Sequence, residues 1–325
     1  MDIKKFSALI ATRFSRASFL KMTAAALGTL ALPPLFGRTG VLHASTVLAP
    51  RAPKTISTIC DLAVARGPEP GAATRSAVNA LGGMGKFVKK GMVVVVKPNI
   101  AWDRTPEQGA TTHPAVVAAL VRMSFEAGAK TVKVFDFTCN EARRTYENSG
   151  IAAAAKQAGA AVNYVDDWKF FPGQFPPGAV MKDWLMYRDA VECDCFINAP
   201  VAKHHSLTRV TLSIKNLMGV CGNDRGRMHQ DIAPKIVEVL AFMKPELTVI
   251  DASRILLRNG PSGGNMSDVK RVDTIIASAD PVLADAYATT LFGIAPHEIG
   301  HIKLAAERKL GSMNLATAKI RTVNA

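Results

Sequence analysis

Short, nearly continuous apolar runs alternate along the chain with longer stretches in which apolar positions recur every three or four residues. Met92-Val93-Val94-Val95-Val96 is the clearest run, and an unbroken, mostly β-branched stretch fits a strand buried on both faces. It leads into Lys97-Pro98-Asn99, where the proline should end the ladder. Comparable runs predict strands at 57–64, 131–135, 161–165, 193–198, 247–250 and 274–277. Helical periodicity fills the intervals, over 72–81, 114–127, 150–158, 231–242, 282–292 and 297–309. The punctuation agrees: Thr112 or His113 is a natural N-cap before Pro114, Asp280 precedes Pro281 in the same way, and Gly128 and Gly159 follow helices. Residues 206–218 read both ways, since Val210, Leu212 and Ile214 alternate like a strand while the approach to Leu217 has a helical spacing.

Strands alternating with helices predict an α/β fold, a largely parallel sheet with helices on both faces. A proline-rich stretch within 166–190 reads as a small insertion. The single α/β domain should occupy 57–325, after an extended and poorly ordered lead-in at 45–56 that carries Pro50 and Pro53. The first 44 residues stand apart. Lys4, Lys5, Arg13 and Arg16 precede an apolar stretch from Phe19 to Leu32, then Pro33-Pro34, and small Ala44 ends a plausible cleavage site. That is the layout of a bacterial export signal. Ser15-Arg16-Ala17-Ser18-Phe19-Leu20-Lys21 resembles the twin-arginine motif, with Ala17 standing where the second arginine is usual. The twin-arginine route is read ahead of Sec, and the expected location is periplasmic, with the export machinery as a partner.

The polar residues of interest share one position. Lys97 and Asn99, Asp136, Asn198 with Lys203, Asp251, and Asp280 each follow the carboxyl end of an expected strand, the end at which open α/β sheets bind ligands. The densest cluster lies between Asn198 and His229. It holds Lys203, His204, His205, Arg209, Lys215, Asn216, Arg225, Arg227 and His229, while Asp224 is its sole acid. Cations, imidazoles and an amide so concentrated suit an anionic small molecule, a transition metal, or both. Lys97, Lys203, Lys215 and Arg225 are candidate anion-binding cations, with Asn99 and Asn216 beside them. His204, His205 and His229 are candidate acid–base groups, Lys97 a further one if desolvated. His113, His204 and His229 are the candidate metal set, although their long-range spacing matches no compact motif. Adjacent on an extended chain, His204 and His205 should point apart. His297 and His301, four residues apart, read as a surface pair.

Composition narrows the classes. Hydrophobic residues at 48% and charged residues at 20% supply an ordinary globular core. Residues 1–44 carry six Lys/Arg and one Asp, so +5 of the formal +14 charge resides there and +9 remains beyond. The remaining positive charges are scattered, without a basic block or a nucleic-acid motif. After the signal, no run is long enough to span a membrane. The five cysteines include no C-x-x-C and no ferredoxin run, so no iron–sulfur cluster is expected. Cys193 and Cys195, both placed on one strand, should face the same way as small core residues.

Taken together, Val94 to Asn99, Gly109 to Pro114, Ile197 to Pro200, Lys203-His204-His205, Lys215 to Gly219, Arg225 and His229 resemble the domain-of-unknown-function 362 family. The resemblance runs over roughly 57–295 and implies an α/β domain, in some members joined to iron–sulfur modules whose cysteines this chain lacks. A fainter similarity to the amino-terminal domain of lactate racemase, a nickel-cofactor enzyme, is an analogy of fold. The reading favoured is an exported enzyme with a cationic, histidine-containing cleft. The alternative is a non-catalytic periplasmic protein that binds a metal or a metabolite.

Overall fold

The computed structural model describes residues 46–325, so the expected export signal lies outside the described residues. Strand β1 (Leu62–Arg66) and helix α1 (Pro70–Ala80) precede β2 (Val93–Pro98), α2 (Pro114–Glu126) and β3 (Thr131–Val134). Then come α3 (Ala142–Asn148), α4 (Ile151–Gln157) and the very short β4 (Ala161–Val162). An antiparallel ribbon follows, β5 (Phe170–Pro172) with β6 (Leu185–Tyr187), and it runs into α5 (Arg188–Val191). Strand β7 (Cys195–Ala199) leads to the hairpin β8 (Val201–His205) and β9 (Arg209–Thr211), and then to a single helical turn, α6 (Ser213–Asn216). The chain ends with α7 (Ile232–Met243), β10 (Leu247–Leu256), β11 (Val269–Ser278), α8 (Pro281–Thr289), α9 (Gly300–Glu307) and β12 (Ile320–Asn324).

One sheet of ten strands organises these elements, in the order β12-β1-β11-β10-β7-β2-β3-β4, with β8 joined to the far half of β10 and β9 paired to β8. Its centre is parallel: β10, β7, β2, β3 and β4 pair in register like a wound α/β sheet. The sequence reading of an α/β, mostly parallel sheet with helices on both faces is correct. Val94, Val95 and Val96 are fully buried, alternating between two cores. One core lies under α1, α2 and α4, the other under α7, α8, α9 and the ribbon.

β2 does end at Pro98, as expected, although Pro98 itself still stands in register with Ala199. Several other local expectations are corrected. β11 runs antiparallel to both β10 and β1, so Asp280 at its carboxyl end lies at the opposite end of the sheet, where it caps α8 through the Val282 and Leu283 amides. Asp251 stands within β10 rather than at its tip, because that strand continues past its parallel partner β7 to pair with β8. Cys193 precedes β7 and packs in a different core from Cys195, so the two do not share a face. His301 is buried in α9, whereas exposed His297 belongs to the turn before that helix.

The lead-in is extended but not loose. Leu48 bridges to Gly173 of the ribbon, and Arg51 is buried. Arg51 Nη2 meets both oxygens of Glu246 at 2.7 Å, while Nη1 donates to the Cys193 carbonyl at 2.7 Å. Glu246 also accepts the Phe196 amide at 2.7 Å, which ties the strap to the first residues of β7. Removing Arg51 would leave the buried Glu246 with Lys54, 3.0 Å away and partly exposed, and with the Phe196 amide. Arg51→Ala should therefore lower stability by about 1–3 kcal/mol, through the lost bidentate bonds and the carbonyls left unpaired. Urea denaturation measures this, and a loss below about 1 kcal/mol would mean that the strap is dispensable.

Candidate functional site

At the carboxyl end of β2, β3 and β7, side chains converge on a pocket of about 570 Å³. Its floor is a lattice of amides and amines. Lys97 projects from the end of β2 and pairs with Asp136, just beyond β3, at 2.6 Å. The other Asp136 oxygen accepts the Ile100 amide at 2.7 Å, and Oδ1 also takes the Phe137 amide at 2.9 Å. Lys97 Nζ donates further to the Pro98 carbonyl at 2.9 Å and to Asn216 Oδ1 at 3.2 Å. Asn216 Oδ1 accepts the Asn99 amide at 3.0 Å as well, and Asn99 Oδ1 in turn takes a bond from Lys203 Nζ at 3.1 Å. Lys203 completes its set with the Ala110 carbonyl at 2.6 Å.

The turn α6 carries Lys215 and Asn216 into this lattice. It is held from behind by Asp285 of α8, whose carboxylate accepts the Ser213 and Ile214 amides at 2.6 and 2.9 Å. Asn198 locks the same turn, donating to the Ser213 carbonyl at 2.9 Å and accepting from Asn216 Nδ2 at 2.8 Å. Gly219 follows, packed so closely on the ion pair that a Cβ would collide with Asp136 Oδ1 and stand 2.6 Å from Lys97 Cε. Here the missing side chain is a steric requirement, since that glycine has no unusual backbone angle.

The pocket is strongly cationic. Lys97, Lys203, Lys215 and Arg225 line it, against one carboxylate, Asp136. Burial pushes the Lys97 ammonium below its ordinary range in spite of Asp136. Burial, with Lys215 close by, brings Lys203 down to about 7, and burial with Arg225 brings Lys215 down to about 8. Arg225 donates to the Phe137 and Thr138 carbonyls, both at 2.7 Å, and lies over the Phe137 ring at 3.8 Å. Its fork is thereby spent on positioning, and its charge remains to attract an anion.

The histidines divide by which ring nitrogen is committed. His205 Nδ1 accepts the Leu207 and Thr208 amides, at 3.1 and 3.4 Å. A nitrogen that accepts from an amide carries no proton, so the neutral ring holds its hydrogen on Nε2. Burial keeps that ring neutral, at about 3, with Lys215 and Lys203 acting in the same direction. His229 is the converse. Its Nδ1 lies 3.3 Å from the Gly226 carbonyl, which only accepts, so that nitrogen bears the hydrogen and Nε2 keeps a lone pair. The two rings stack at 6.2 Å, 13° from parallel. One offers a proton donor and the other a base.

The pocket thus brings together Lys97, Asn99, Lys203, His205, Lys215, Asn216, Arg225 and His229. It does not include His113 or His204. His113 Nδ1 caps α2 through the Ala115 amide at 3.2 Å, and its own amide donates to Asp251 at 2.7 Å. His204 turns to the other face of the hairpin, where Nδ1 accepts the Gly260 amide at 3.1 Å. The expected metal set of His113, His204 and His229 is therefore not assembled, and among the described residues no three His, Cys, Asp or Glu side chains group to hold a metal ion. The hydrogen bonding explains why. A metal-bound imidazole donates its other N–H, yet His113, His204 and His205 accept at Nδ1. Only His229 has the orientation a metal would require.

Sequence reasoning missed other wall residues. Trp102, Phe137, Cys139, Thr211 and Pro261 all face the pocket from loops or a hairpin, where no apolar period marks them. Thr211 Oγ1 is buried without a hydrogen-bond partner. No local signal distinguishes these positions.

A family model described as "Domain of unknown function (DUF362)" matches residues 94–290. The thylakoid-associated protein of Synechocystis sp. is 28% identical over 249 residues, with 74% of each chain covered. Among solved structures, the lactate racemase apoprotein from Thermoanaerobacterium thermosaccharolyticum aligns with a TM-score of 0.44 at 11% identity, over 79% of this chain and 63% of that one. A protein from Thermotoga maritima aligns with a TM-score of 0.35 at 10% identity, over 74% and 60%. The chain thus spans less than two thirds of either solved structure.

Two expectations follow from the geometry. Gly219→Ala should displace the Lys97–Asp136 pair and cost about 1–3 kcal/mol, read from thermal or urea melts; an unchanged melting point would mean that the close packing is not constraining. Burial raises the Asp285 carboxyl from 3.8 to about 8 against the pull of its two amide donors. Below the lower value both folded and unfolded chains hold the proton; between the two values the folded chain holds it more tightly, so this group's contribution to stability falls as pH rises from about 4 to about 8. Asp285→Asn should remove that slope. Parallel pH–stability curves for the two proteins would refute it.

Proposed function

Because this chain belongs to the DUF362 family and its histidines carry complementary tautomers beside a lysine cluster, we propose that it is an enzyme acting on an anionic small molecule by proton transfer. The observation that carries the proposal is the pairing of His205, with its hydrogen on Nε2, and His229, with its hydrogen on Nδ1. His229 Nε2 takes a proton from the bound molecule. The His205 Nε2–H donates to negative charge as it develops, in the manner of a neutral imidazole electrophile. Lys203, Lys215 and Arg225 supply the field that draws the anion in and holds it. Lys97 and Asn99 are committed to the floor, and they orient Asn216 and Lys203. No step is assigned to a transition metal, for the hydrogen-bonding reason given above.

The proposal extends to location. The basic start, the apolar stretch Phe19 to Leu32 and the twin-arginine-like run support export to the periplasm by the twin-arginine route. No helix among the described residues is long and apolar enough to cross a membrane.

A thermal-shift screen of carboxylated and phosphorylated metabolites tests the reading, followed by NMR in deuterated water to detect proton exchange or consumption of each stabilising compound. A fully ionised dicarboxylate should raise the melting temperature. The gain should shrink as pH climbs through about 7 and 8, because Lys203 and Lys215 lose their charge there, and it should shrink with added salt. Lys215→Ala should remove the gain. His229→Ala should keep it while slowing exchange by roughly 10²–10⁴. Stabilisation with no exchange for any binding compound would assign the non-catalytic binding role instead.

A further inference from the structure

The three buried lysines of the pocket form a graded series. Lys97 has a carboxylate and two neutral oxygens about its Nζ. Lys203 has two neutral oxygens, Asn99 Oδ1 and the Ala110 carbonyl. Lys215 has none: among the described residues its one hydrogen-bond partner is the thioether of Met218, at 3.2 Å. An ammonium group has three N–H bonds to satisfy, and a thioether sulfur is a weak acceptor. Its Nζ meets solvent only through the pocket, for the residue is 7% exposed. The surroundings of Lys215 thus accommodate a neutral amine with its lone pair free better than they accommodate a cation. Arg225, a permanent cation, lines the same pocket and lowers the basicity of Lys215, and a lysine desolvated beside another cation is a recognised form of amine nucleophile.

We propose that Lys215 captures the carbonyl carbon of a 2-oxo acid as a Schiff base, with the neighbouring carboxylate of that molecule held in the field of Arg225 and by the Lys203 amine. The inference rests on the anion-binding reading above and names a substrate class for the same site. In the step, the Nζ lone pair forms the C–N bond while the carbonyl π electrons move to oxygen. One amine hydrogen passes through His229 Nε2 to the alkoxide, which gives the neutral carbinolamine. A second proton, taken up from solvent, is delivered by the same nitrogen to the hydroxyl, which leaves as water as the amine lone pair closes the C=N bond. The iminium so formed is cationic, and no oxidant or reductant is required. The iminium acidifies the adjacent C–H bonds, which is the proton chemistry the histidine pair is equipped to perform. Burial and Arg225 hold the amine near 8 rather than 10.5, so at neutral pH its neutral share exceeds that of an ordinary lysine by roughly two orders of magnitude.

The full chain is incubated with pyruvate and sodium cyanoborohydride near pH 8 and then mapped by peptide mass spectrometry, with its melting temperature followed in parallel. The expected result is one reduced adduct, on Lys215, at roughly tenfold or more the level on any exposed lysine. It should be absent from Lys215→Arg and absent when acetone replaces pyruvate. An adduct on Lys203, labelling spread over surface lysines, or equal trapping of acetone would overturn the proposal. Stabilisation by pyruvate with no adduct on Lys215 would overturn it while leaving the anion-binding reading in place. Neither stabilisation nor adduct would overturn both. The wild-type map suffices even if the arginine variant does not fold.

Discussion

The site depends on one buried ion pair. Lys97 and Asp136 lie within the floor at 2.6 Å, excluded from water, and each is also hydrogen-bonded to backbone. Such a pair contributes little net stability, because desolvating both charges offsets most of their attraction. What it contributes is position. Asp136 fixes Ile100 and Phe137, so the loops after β2 and β3 leave the sheet together. Lys97 fixes Asn216, and through it Asn99 and Lys203. Gly219 closes over the pair because any larger residue would displace it. The other floor groups are placed relative to this pair.

With the one nearby carboxylate engaged, the remaining amines stand uncompensated, and their basicity falls in consequence. The pocket at rest is therefore less charged than its residue count implies, and an anion of the proposed kind would draw protons onto it. The histidines add direction. Backbone groups alone decide their tautomers: two amides at His205, one carbonyl at His229. The proposed catalytic assignment thus originates in the hairpin tip and in the turn at 225–229, rather than in any pair of side chains.

Much of this was legible in the sequence. The Val93–Val96 run announced a buried central strand, and polar residues just beyond such strands led to Lys97, Asn99, Lys203 and Asp136. The density of cations after Asn198 led to Lys215, Asn216 and Arg225. What escaped were properties that depend on strand direction and on backbone partners. Nothing local in Thr274–Ala277 reveals that β11 runs antiparallel, so Asp280 was placed at the wrong end. His113 and His204 have the right chemistry, yet amides of Ala115 and Gly260 occupy their Nδ1 atoms. The strap at 46–56 looked loose because two prolines and few apolar residues conceal an arginine whose partner lies far along the chain, at Glu246.

The groups proposed as anchor and as base occupy different kinds of chain. Lys97 and Lys203 are borne on strands deep in the sheet, and Lys215 on a turn clamped from behind. His229 sits on an exposed 3₁₀ turn, which tolerates exchange far better than the layers beneath it. Divergence within such a lineage can then be modular: rewriting a handful of surface positions changes the reaction while the inherited cradle goes on receiving the same kind of guest.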